Sequence, residues 1–308
     1  MTVATEWVAV DWGTSNLRAW GIAADGAVSF AKASPEGMGR LSPDQFAGVL
    51  DSLVASELPE SSRPVDALIC GMAGARQGWI EAPYIEAPAD LGGLAYSAVH
   101  PPQGESRLAA RILPGVCQKR SGAEDVMRGE ETQLLGLSAL MPGFSGVAIL
   151  PGTHSKWAWL GGRRIERFAT AMTGELYELL KTHSVLRLSL AGEIDDAERS
   201  AGTSAGLAMG VEWPERLASL LFKVRAGALL SGRSPGWSAG FLSGLLIGAE
   251  IGGQRDWIAA GQQEIPLIGG AGLAAIYAEG LALLGATGRP VDATSATLAG
   301  LKLARSLA

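Results

Sequence analysis

Two stretches of the chain share one pattern, in which an apolar run is followed by a Gly-Thr turn and a second apolar run. They cover residues 8–20 and 147–159. When the two segments are aligned without gaps, Val, Ala, Gly, Thr, Ala and Trp are identical at corresponding positions. Each continues into a dipeptide that tolerates the positive φ angles of a tight hairpin, Asp25-Gly26 in the first and Gly161-Gly162 in the second. We therefore predict that each half of the chain opens with a three-stranded β-meander.

After each meander the apolar spacing changes. The pattern predicts further elements at 43–56 (helix), 65–70 (strand), 107–113 (strand), 126–140 (helix), 217–224 (helix) and 265–268 (strand). Each half thus reads as a mixed sheet flanked by helices. Pro142 and Gly143 interrupt the helical pattern just before the second meander, so we predict domains at 1–143 and 144–308, with the last helix able to pack back on the first domain.

The most apolar stretch, 239–253, predicts a buried helix. It is shorter than a bilayer span and it contains Glu250, which argues against a membrane helix. Glycines recur in it at every fourth position, at Gly240, Gly244, Gly248 and Gly252. Residues with this spacing share one helical face, so we expect another backbone to approach that face closely.

Composition narrows the class of partner. The 308 residues include 25 basic and 31 acidic side chains, a net charge of −6, so no basic excess is available for nucleic acid or an anionic membrane. The two cysteines, Cys70 and Cys117, have neither the spacing of a metal site nor the context of a disulfide framework. The start of the chain has no basic region followed by a long apolar core, so a cytoplasmic protein with a small-molecule partner is expected.

The first Gly-Thr turn has the residues that phosphate binding requires. Gly13 lets the backbone approach a phosphate, while Thr14, Ser15 and the turn amides can donate hydrogen bonds to it. Asp11 ends the preceding strand, where a carboxylate can hold Mg²⁺ directly or through its waters. Arg18, on the next strand, can neutralise phosphate or stabilise the turn. Taken singly, the turn could also be an ordinary hairpin.

The second turn has a different charge. Leu150 stands where the first turn has Asp11, and His154 and Lys156 accompany Gly152 and Thr153, so this turn adds cationic charge.

A third glycine-rich turn, at Gly269, Gly270 and Ala271, joins a predicted strand to a helix and suits contact with a base or a ribose. A dinucleotide-binding alternative rests on Gly270 and Gly272 with Asp292 beyond them, but its third glycine is missing.

The segments 11–18, 151–156 and the Gly269-Gly270 turn resemble the two phosphate motifs and the adenosine motif of the actin, sugar kinase and heat-shock ATPase superfamily. More narrowly, segments 70–84, 125–133 and 151–157 are similar to signatures of the 2-dehydro-3-deoxygalactonokinase family. The resemblance implies an α/β fold of two ribonuclease-H-like (actin-like ATPase) domains, each a mixed sheet flanked by helices, with an interdomain nucleotide cleft. It also implies phosphorylation, with ATP and Mg²⁺, of the C6 hydroxyl of 2-dehydro-3-deoxy-D-galactonate in galactonate breakdown.

The resemblance also implies roles for individual residues. In related sugar kinases an aspartate at the start of a helix accepts the proton of the acceptor hydroxyl, and Asp125 matches that description, although a plain helix N-cap would look the same. Glu130, or Glu131 beside it, is the expected second metal-site carboxylate. Arg76 first and Arg128 second are expected to bind the substrate carboxylate.

Trp79 is a candidate for lining the sugar pocket, and packing is an equal alternative for its indole. Two other functions stay open: a kinase of the same superfamily that acts on another sugar or sugar acid, and a non-catalytic actin-like ATP-binding protein.

Overall fold

The structure is a computed structural model that describes residues 4–60, 63–102, 104, 106–258 and 264–308. The chain divides into two compact units. Unit 1 comprises Met1–Ser145, Leu160–Phe168 and Ala293–Ala308, and unit 2 comprises Gly146–Trp159 and Ala169–Asp292. Each unit combines strands and helices, so the fold belongs to the mixed α/β class.

The strands are β1 (Trp7–Trp12), β2 (Leu17–Ile22), β3 (Val28–Ser34), β4 (Val65–Gly71), β5 (Tyr84–Glu86), β6 (Ala89–Asp90), β7 (Leu108–Ile112), β8 (Gly115–Gln118), β9 (Asp125–Met127), β10 (Ser145–Leu150), β11 (Ser155–Gly161), β12 (Arg164–Ala171), β13 (Glu264–Gly269) and β14 (Thr287–Asp292). The α-helices are α1 (Phe46–Val54), α2 (Glu130–Leu140), α3 (Thr173–His183), α4 (Arg187–Leu190), α5 (Asp196–Glu212), α6 (Leu217–Ser231), α7 (Pro235–Gly253), α8 (Arg255–Ile258), α9 (Ala271–Ala282) and α10 (Ala293–Ser306).

The main sheet of unit 1 has the order β3-β2-β1-β4-β7. Strands β1, β2 and β3 pair antiparallel, which confirms the first predicted meander. Strands β4 and β7 then join in parallel, so the carboxyl ends of β1 and β4 lie side by side, with Asp11 opposite Cys70 and Trp12 opposite Gly71. The alternating apolar residues of these strands form a buried core with α1, in which Trp12, Phe46 and Trp79 pack together.

A second sheet has the order β14-β13-β10-β11-β12-β6. The consecutive neighbours β10, β11 and β12 confirm the second predicted meander. Strand β13 runs parallel to β10, with Leu267 opposite Ile149, and β14 runs parallel to β13. Because carboxyl ends of parallel strands meet at one edge of a sheet, the residues after β10 and β13 are neighbours. A small third sheet has the order β5-β8-β9.

Helices α5 and α7 of unit 2 pack backbone to backbone. A Cβ atom added at Gly244 would lie 2.2 Å from the Thr203 carbonyl oxygen, and one added at Gly206 would lie 2.4 Å from the Phe241 carbonyl oxygen. The expected close approach along the glycine face of α7 is therefore confirmed. Most of α7 is buried, as predicted.

In unit 1, α2 and α10 pack in the same way, since a Cβ at Gly136 would lie 1.8 Å from the Ala296 carbonyl oxygen. Within the part of the chain that the structure describes, none of the helices combines the length and the apolar character needed to cross a bilayer.

One predicted helix starts in the wrong place. The sequence pattern placed its start at Val126, whereas residues 125–127 form β9 and α2 begins at Glu130. Gly129, with φ of 106°, separates the two elements. A left-handed glycine ends the strand and turns the chain, which an apolar-spacing argument does not detect.

Candidate functional site

The first Gly-Thr turn of unit 1 is held in a fixed shape by its own backbone and by the segment after β3. The Gly13 amide donates to the Asn16 carbonyl at 2.8 Å, and the Met38 amide donates to the Gly13 carbonyl at 3.0 Å. A Cβ at Gly37 would lie 2.3–2.5 Å from the backbone of this turn, so only glycine allows that approach. Thr14 and Ser15 remain exposed at the tip, where their hydroxyls are available to a ligand.

Asp11 lies at the end of β1, directly before this turn, and it pairs across the strands with Arg18. Burial raises the pKa of the Asp11 carboxyl, and the positive charge of Arg18 opposes that rise. The Arg18 guanidinium also donates to the Thr294 hydroxyl at 3.3 Å. Asp11 is therefore a poorly solvated carboxylate beside a cation, at the mouth of a turn with exposed hydroxyls.

The N-terminus of α2 lies against the end of β4. A Cβ at Gly129 would be 3.3 Å from the Cα of Gly71, and both glycines have positive φ. Glu131, in the first turn of α2, is fully buried, and its two carboxylate oxygens accept from the Gly129 amide at 2.9 and 2.7 Å. Burial raises the pKa of Glu131 to about 8, with the neighbouring Glu130 charge acting in the same direction.

Cys70 shows that Asp11 and Glu131 share one region. Burial raises the pKa of the Cys70 thiol, and the negative charges of Asp11 and Glu131 raise it further. The thiol lies 4.0 Å from a carboxylate oxygen of Asp11. The structure thus brings together two carboxylates that are 120 positions apart along the printed sequence. This juxtaposition follows from the parallel pairing of β1 with β4 and from the docking of α2, which sequence spacing does not show.

Glu130, the predicted second metal-site carboxylate, is half-buried and accepts from the Arg128 amide at 3.0 Å. No cluster of three or more His, Cys, Asp or Glu side chains suited to a metal occurs among the described residues. Mg²⁺ bound with a nucleotide needs only one or two carboxylates, since phosphate oxygens and water complete its shell. Asp11, at the end of β1 beside the exposed turn, is the carboxylate whose position fits such a metal.

Asp125 and Arg128 both lie before α2, so the predicted place of Asp125 at the start of a helix is wrong. Asp125 lies on β9, opposite Gln118, and its carboxylate accepts from the Val126 amide at 2.7 Å. The helix dipole therefore does not explain its placement, and its catalytic role stays a prediction that rests on the resemblance alone.

The Arg128 side chain packs inside unit 1. Its guanidinium carbon lies 4.3 Å from the centre of the Tyr84 ring, and Nη2 donates to the Ala82 carbonyl at 2.9 Å. Its Nε and Nη1 atoms are buried and have no hydrogen-bond partner among the described residues. A Cβ at Gly74 would lie 2.9 Å from Nη1, so the guanidinium fills the space beneath the loop that follows β4.

The other two predicted substrate residues are on that loop and differ in exposure. Arg76 is exposed, as a ligand-binding arginine can be. Trp79 is buried, stacks on Phe46 with 6.0 Å between ring centres, and donates from Nε1 to the Pro102 carbonyl. Core packing accounts for this indole, and a contact of Trp79 with a sugar stays a prediction.

In unit 2, the second Gly-Thr turn packs on the N-terminus of α3. A Cβ at Gly174 would lie 2.7 Å from both the Gly152 carbonyl oxygen and the Thr153 Cα. The Glu175 amide donates to the Thr153 carbonyl at 3.1 Å, and the His154 ring bonds the Glu175 carboxylate. The backbone amides of this turn and the N-terminus of α3 thus lie close together, an arrangement that favours phosphate binding.

Lys156 lies on β11 beyond the turn and is 5% exposed. A buried polar group needs a partner, and Lys156 is among the residues that have a polar, charged or ring interaction.

The third turn lies next to the second. A Cβ at Gly269 would be 3.5 Å from the Pro151 carbonyl oxygen, because β13 and β10 are parallel neighbours. Gly270 caps α9 with extended backbone, and Gly270 and Ala271 are exposed. The parallel β13 and β14 also bring Asp292 opposite Gly269, so this part of the dinucleotide-binding pattern is present as well.

A pocket of about 900 Å³ opens in unit 2 beside these turns. That volume is within the range of roughly 300–1,000 Å³ that small-molecule sites occupy. Its wall includes Gly152 and Thr153 of the second turn and residues from α3, α5, α7 and α9. The lining residues that bear on ligand binding are Gly152, Thr153, Thr173, Gly174, Arg199 and Tyr277.

Sequence reasoning missed the contribution of α3 to this pocket. The signal available was the Thr173-Gly174 dipeptide at the start of a helical pattern, about twenty positions after the second Gly-Thr turn.

Comparison with known proteins decides the family. The family model for 2-keto-3-deoxy-galactonokinase matches residues 11–304. The chain belongs to the 2-keto-3-deoxy-galactonokinase family. Two curated relatives agree: the probable 2-dehydro-3-deoxygalactonokinase of Rhizobium meliloti (strain 1021), 42% identical over 99% of this chain and 98% of that protein, and the 2-dehydro-3-deoxygalactonokinase of Escherichia coli (strain K12), 36% identical over 97% of each.

The crystal structure of a candidate 2-dehydro-3-deoxygalactonokinase from Sinorhizobium meliloti has the same fold. It superposes with a TM-score of 0.88 at 42% identity, over 97% of this chain and 95% of that one. Membership of the 2-keto-3-deoxy-galactonokinase family confirms the resemblance read from the sequence and decides against the dinucleotide-binding alternative for the Gly270–Asp292 segment.

Proposed function

We propose that this chain transfers the γ-phosphoryl group of ATP to the C6 hydroxyl of 2-dehydro-3-deoxy-D-galactonate, giving the 6-phosphate and ADP in galactonate breakdown. The observation that carries the proposal is the match of the family model to residues 11–304, which includes all three glycine-rich turns. The two curated relatives named for this activity are similar over nearly their whole length.

The proposal includes the finer fold. The two halves of the chain, 1–143 and 144–308, are taken as two actin-like domains, each opening with a β-meander that has a Gly-Thr turn between its first two strands. The antiparallel β1-β2-β3 set and the β10-β11-β12 set support this, since each is followed by parallel neighbours in its sheet.

The nucleotide is proposed to occupy the pocket of unit 2. The amides of Gly152 and Thr153 and the N-terminus of α3 would hold phosphate oxygens, and the turn at Gly269, Gly270 and Ala271 would lie near the adenosine. His154 and Lys156 would add positive charge on this side.

The metal and the γ-phosphate belong to unit 1 in this proposal. Asp11 would hold Mg²⁺, with Glu130 reaching it through water, and Gly13, Thr14, Ser15 and Arg18 would bind phosphate oxygens. Bound Mg²⁺ would neutralise phosphate charge. The fixed turn at Gly13 supports this assignment, because positioning is most of what phosphoryl transfer requires of the protein.

The acceptor hydroxyl needs a carboxylate to take its proton. Asp125 carries that role in the proposal, and the neighbouring Glu131 is its rival, since a pKa of about 8 suits a base working near neutral pH. Arg76 would bind the substrate carboxylate from the exposed loop. Arg128 and Trp79 would support that loop of unit 1 by packing.

A substrate panel tests the function. Purified protein is assayed for ADP release with ATP and Mg²⁺ against 2-dehydro-3-deoxy-D-galactonate, the gluconate epimer, other sugar acids and a hexose. We expect the galactonate-derived acid to give the highest kcat/KM, with phosphate on C6 by NMR. Turnover of a hexose alone would assign another kinase activity, and ATP binding without any acceptor would mean a non-catalytic protein.

A further inference from the structure

A buried carboxylate lies behind the wall of the unit 2 pocket. Glu250, on α7, is 9% exposed. Its Oε1 accepts from the Trp157 indole at 2.8 Å, and its Oε2 accepts from the Tyr277 hydroxyl at 2.7 Å and from the Thr173 hydroxyl. The Ser155 hydroxyl lies 2.8 Å from that of Tyr277. The carboxylate therefore joins β11, α3, α7 and α9.

These hydrogen-bond donors are all neutral groups. A buried carboxylate loses its hydration, and neutral donors offset only part of that cost, so an apolar side chain would pack here with less penalty. Burial is accordingly the largest influence on Glu250 and raises its pKa, while the hydrogen bonds oppose the rise. Stability alone does not account for a carboxylate at this position.

Two hydrogen-bond partners of Glu250 face the pocket of unit 2. Thr173 and Tyr277 both line the 900 Å³ pocket, whereas Glu250 does not. Thr173 is the first residue of α3, and the next two residues contact the second Gly-Thr turn: Gly174 packs on Gly152, and the Glu175 amide donates to the Thr153 carbonyl. Tyr277 belongs to α9, which begins at the third glycine-rich turn.

We propose that Glu250 is a positioning residue for nucleotide binding, which fixes the start of α3 and the Tyr277 face of α9 so that the pocket is formed before the ligand arrives. The inference rests on the proposed function, because it takes the ligand of this pocket to be ATP. Glu250 touches neither ATP nor the acceptor; it acts through Thr173 and Tyr277.

The test is Glu250→Gln in the full chain. Glutamine has nearly the same shape, but its amide nitrogen cannot accept a hydrogen bond, so one side of the network loses its acceptor. We expect KM for ATP, and Kd for ATP by calorimetry, to rise about 10-fold or more, because hydrogen bonds to a charged group are the strong ones. KM for the sugar acid should change less than about twofold.

The partners supply a second, independent series. Thr173→Ser keeps the hydroxyl and should keep the affinity for ATP, whereas Thr173→Val removes it and should weaken ATP binding as Glu250→Gln does. The double variant should be no weaker than the poorer single one, since both break the same contact. This series tests the positioning role of the network even if Glu250→Gln folds poorly.

A control on the same helix separates positioning from general damage to α7. Ser238 is fully buried, and its hydroxyl has no hydrogen-bond partner among the described residues, so Ser238→Ala removes a buried hydroxyl that holds nothing in place. Its affinity for ATP should equal that of the wild type. Hydrogen exchange at the Glu175 amide should accelerate in Glu250→Gln and not in Ser238→Ala, because that amide reports the contact between α3 and the turn.

The possible outcomes are distinct. Wild-type affinity for ATP in both Glu250→Gln and Thr173→Val would overturn the inference while leaving the kinase function in place. A fall in stability with unchanged KM for ATP would also overturn it, since the network would then be structural. If wild-type protein itself shows no binding of ATP, the proposed function fails first, and the inference with it.

Discussion

Three carboxylates of unit 1 lie in different electrostatic surroundings, and those surroundings separate their roles. Asp11 is half-buried next to the Arg18 cation, Glu131 is fully buried and accepts from the Gly129 amide and the Thr132 hydroxyl, and Asp125 is half-buried on β9. A metal ligand must ionise in the presence of the metal, whereas a base must exchange a proton near working pH. Substitution can therefore tell them apart.

Asp11→Asn should raise the Mg²⁺ concentration needed for half-maximal turnover by tenfold or more, in order-of-magnitude terms, because the amide is a weaker ligand for a hard cation. The measurement is ADP release against Mg²⁺ at saturating ATP. Asn keeps the size of the side chain, so the turn at Gly13 should stay folded. An unchanged dependence on Mg²⁺ would remove Asp11 from the metal site.

Asp125→Asn should lower kcat by about 100-fold or more while Kd for ATP stays within about twofold, as expected for a base that acts on the acceptor alone. Glu131→Gln is the matched comparison, since it removes the rival carboxylate and leaves Asp125 in place. If Glu131→Gln loses turnover and Asp125→Asn keeps it, the base is Glu131 and the assignment of Asp125 is wrong.

The residues that spacing could identify were those that lie next to one another in the chain. The Gly13 and Gly152 turns, and Asp11 before the first of them, could be found from local pattern. The proximity of Glu131 to Asp11 could not be, because it depends on the register of β1 with β4 and on where α2 begins, and the left-handed Gly129 shifts that start by several residues. The Glu250 network joins four elements that are far apart in sequence.

At the scale of elements, glycine determines how the helices of unit 2 approach each other. The face of α7 with Gly240, Gly244, Gly248 and Gly252 lies on the α5 backbone. This contact could be read from the four-residue period, although the partner helix could not, since several helices of the second half have small residues. The consequence is that a single methyl group should disturb the packing.

Gly244→Ala should lower the free energy of unfolding by about 1–3 kcal/mol or more, because the added Cβ would lie 2.2 Å from the Thr203 carbonyl oxygen and the helices would have to separate. Gly253→Ala is the matched control on the same helix, where an added Cβ meets nothing within 4 Å. Urea unfolding of the two variants checks this. Equal stabilities would mean that α5 and α7 can separate without cost.

Helix α7 also links pH to stability through Glu250. Because the folded pKa of Glu250 is raised above the ordinary value of 4.5, the unfolded chain loses this proton first as pH increases. The stability contributed is full below pH 4.5 and falls as pH rises through the folded pKa, by at most about 1.4 kcal/mol per pH unit.

The Glu250→Gln variant lacks this titration, so the stability of the wild type relative to the variant should decrease as pH rises above 4.5. Urea unfolding at several pH values measures this difference. Ser238→Ala on α7 is the control, because it replaces a residue that does not titrate and keeps Glu250. The groups that face the carboxylate are Thr173, Trp157, Tyr277 and Ser155, and among these only Tyr277 titrates, at a pKa raised well above its ordinary value of 10.0. Parallel slopes in wild type and Glu250→Gln would contradict the shift.

For the whole molecule, the repeated meander raises the question of why one chain needs two Gly-Thr turns. The proposed answer is that each turn binds phosphate, one beside the carboxylate Asp11 and the other beside the N-terminus of α3. The duplication and the family could be predicted from the sequence. The pocket of unit 2 could not, because α3, α5, α7 and α9 each contribute only part of its wall.

The proposed phosphate-binding role of the two Gly-Thr turns makes a prediction about ATP binding. Wild-type protein should bind one ATP per chain, and Thr14→Val and Thr153→Val should each weaken that one event, by about 10-fold in Kd, without changing its stoichiometry. Valine matches threonine in shape, and both side chains are exposed, so neither change should affect the core. Calorimetric titration with a non-hydrolysable ATP analogue and Mg²⁺ measures both the Kd and the stoichiometry.

ADP, which lacks the γ-phosphate, should show a smaller effect of Thr14→Val if the turn at Gly13 holds that group. If Thr14→Val binds the analogue as tightly as the wild type does, the first turn serves some other purpose, and the nucleotide belongs to unit 2 alone.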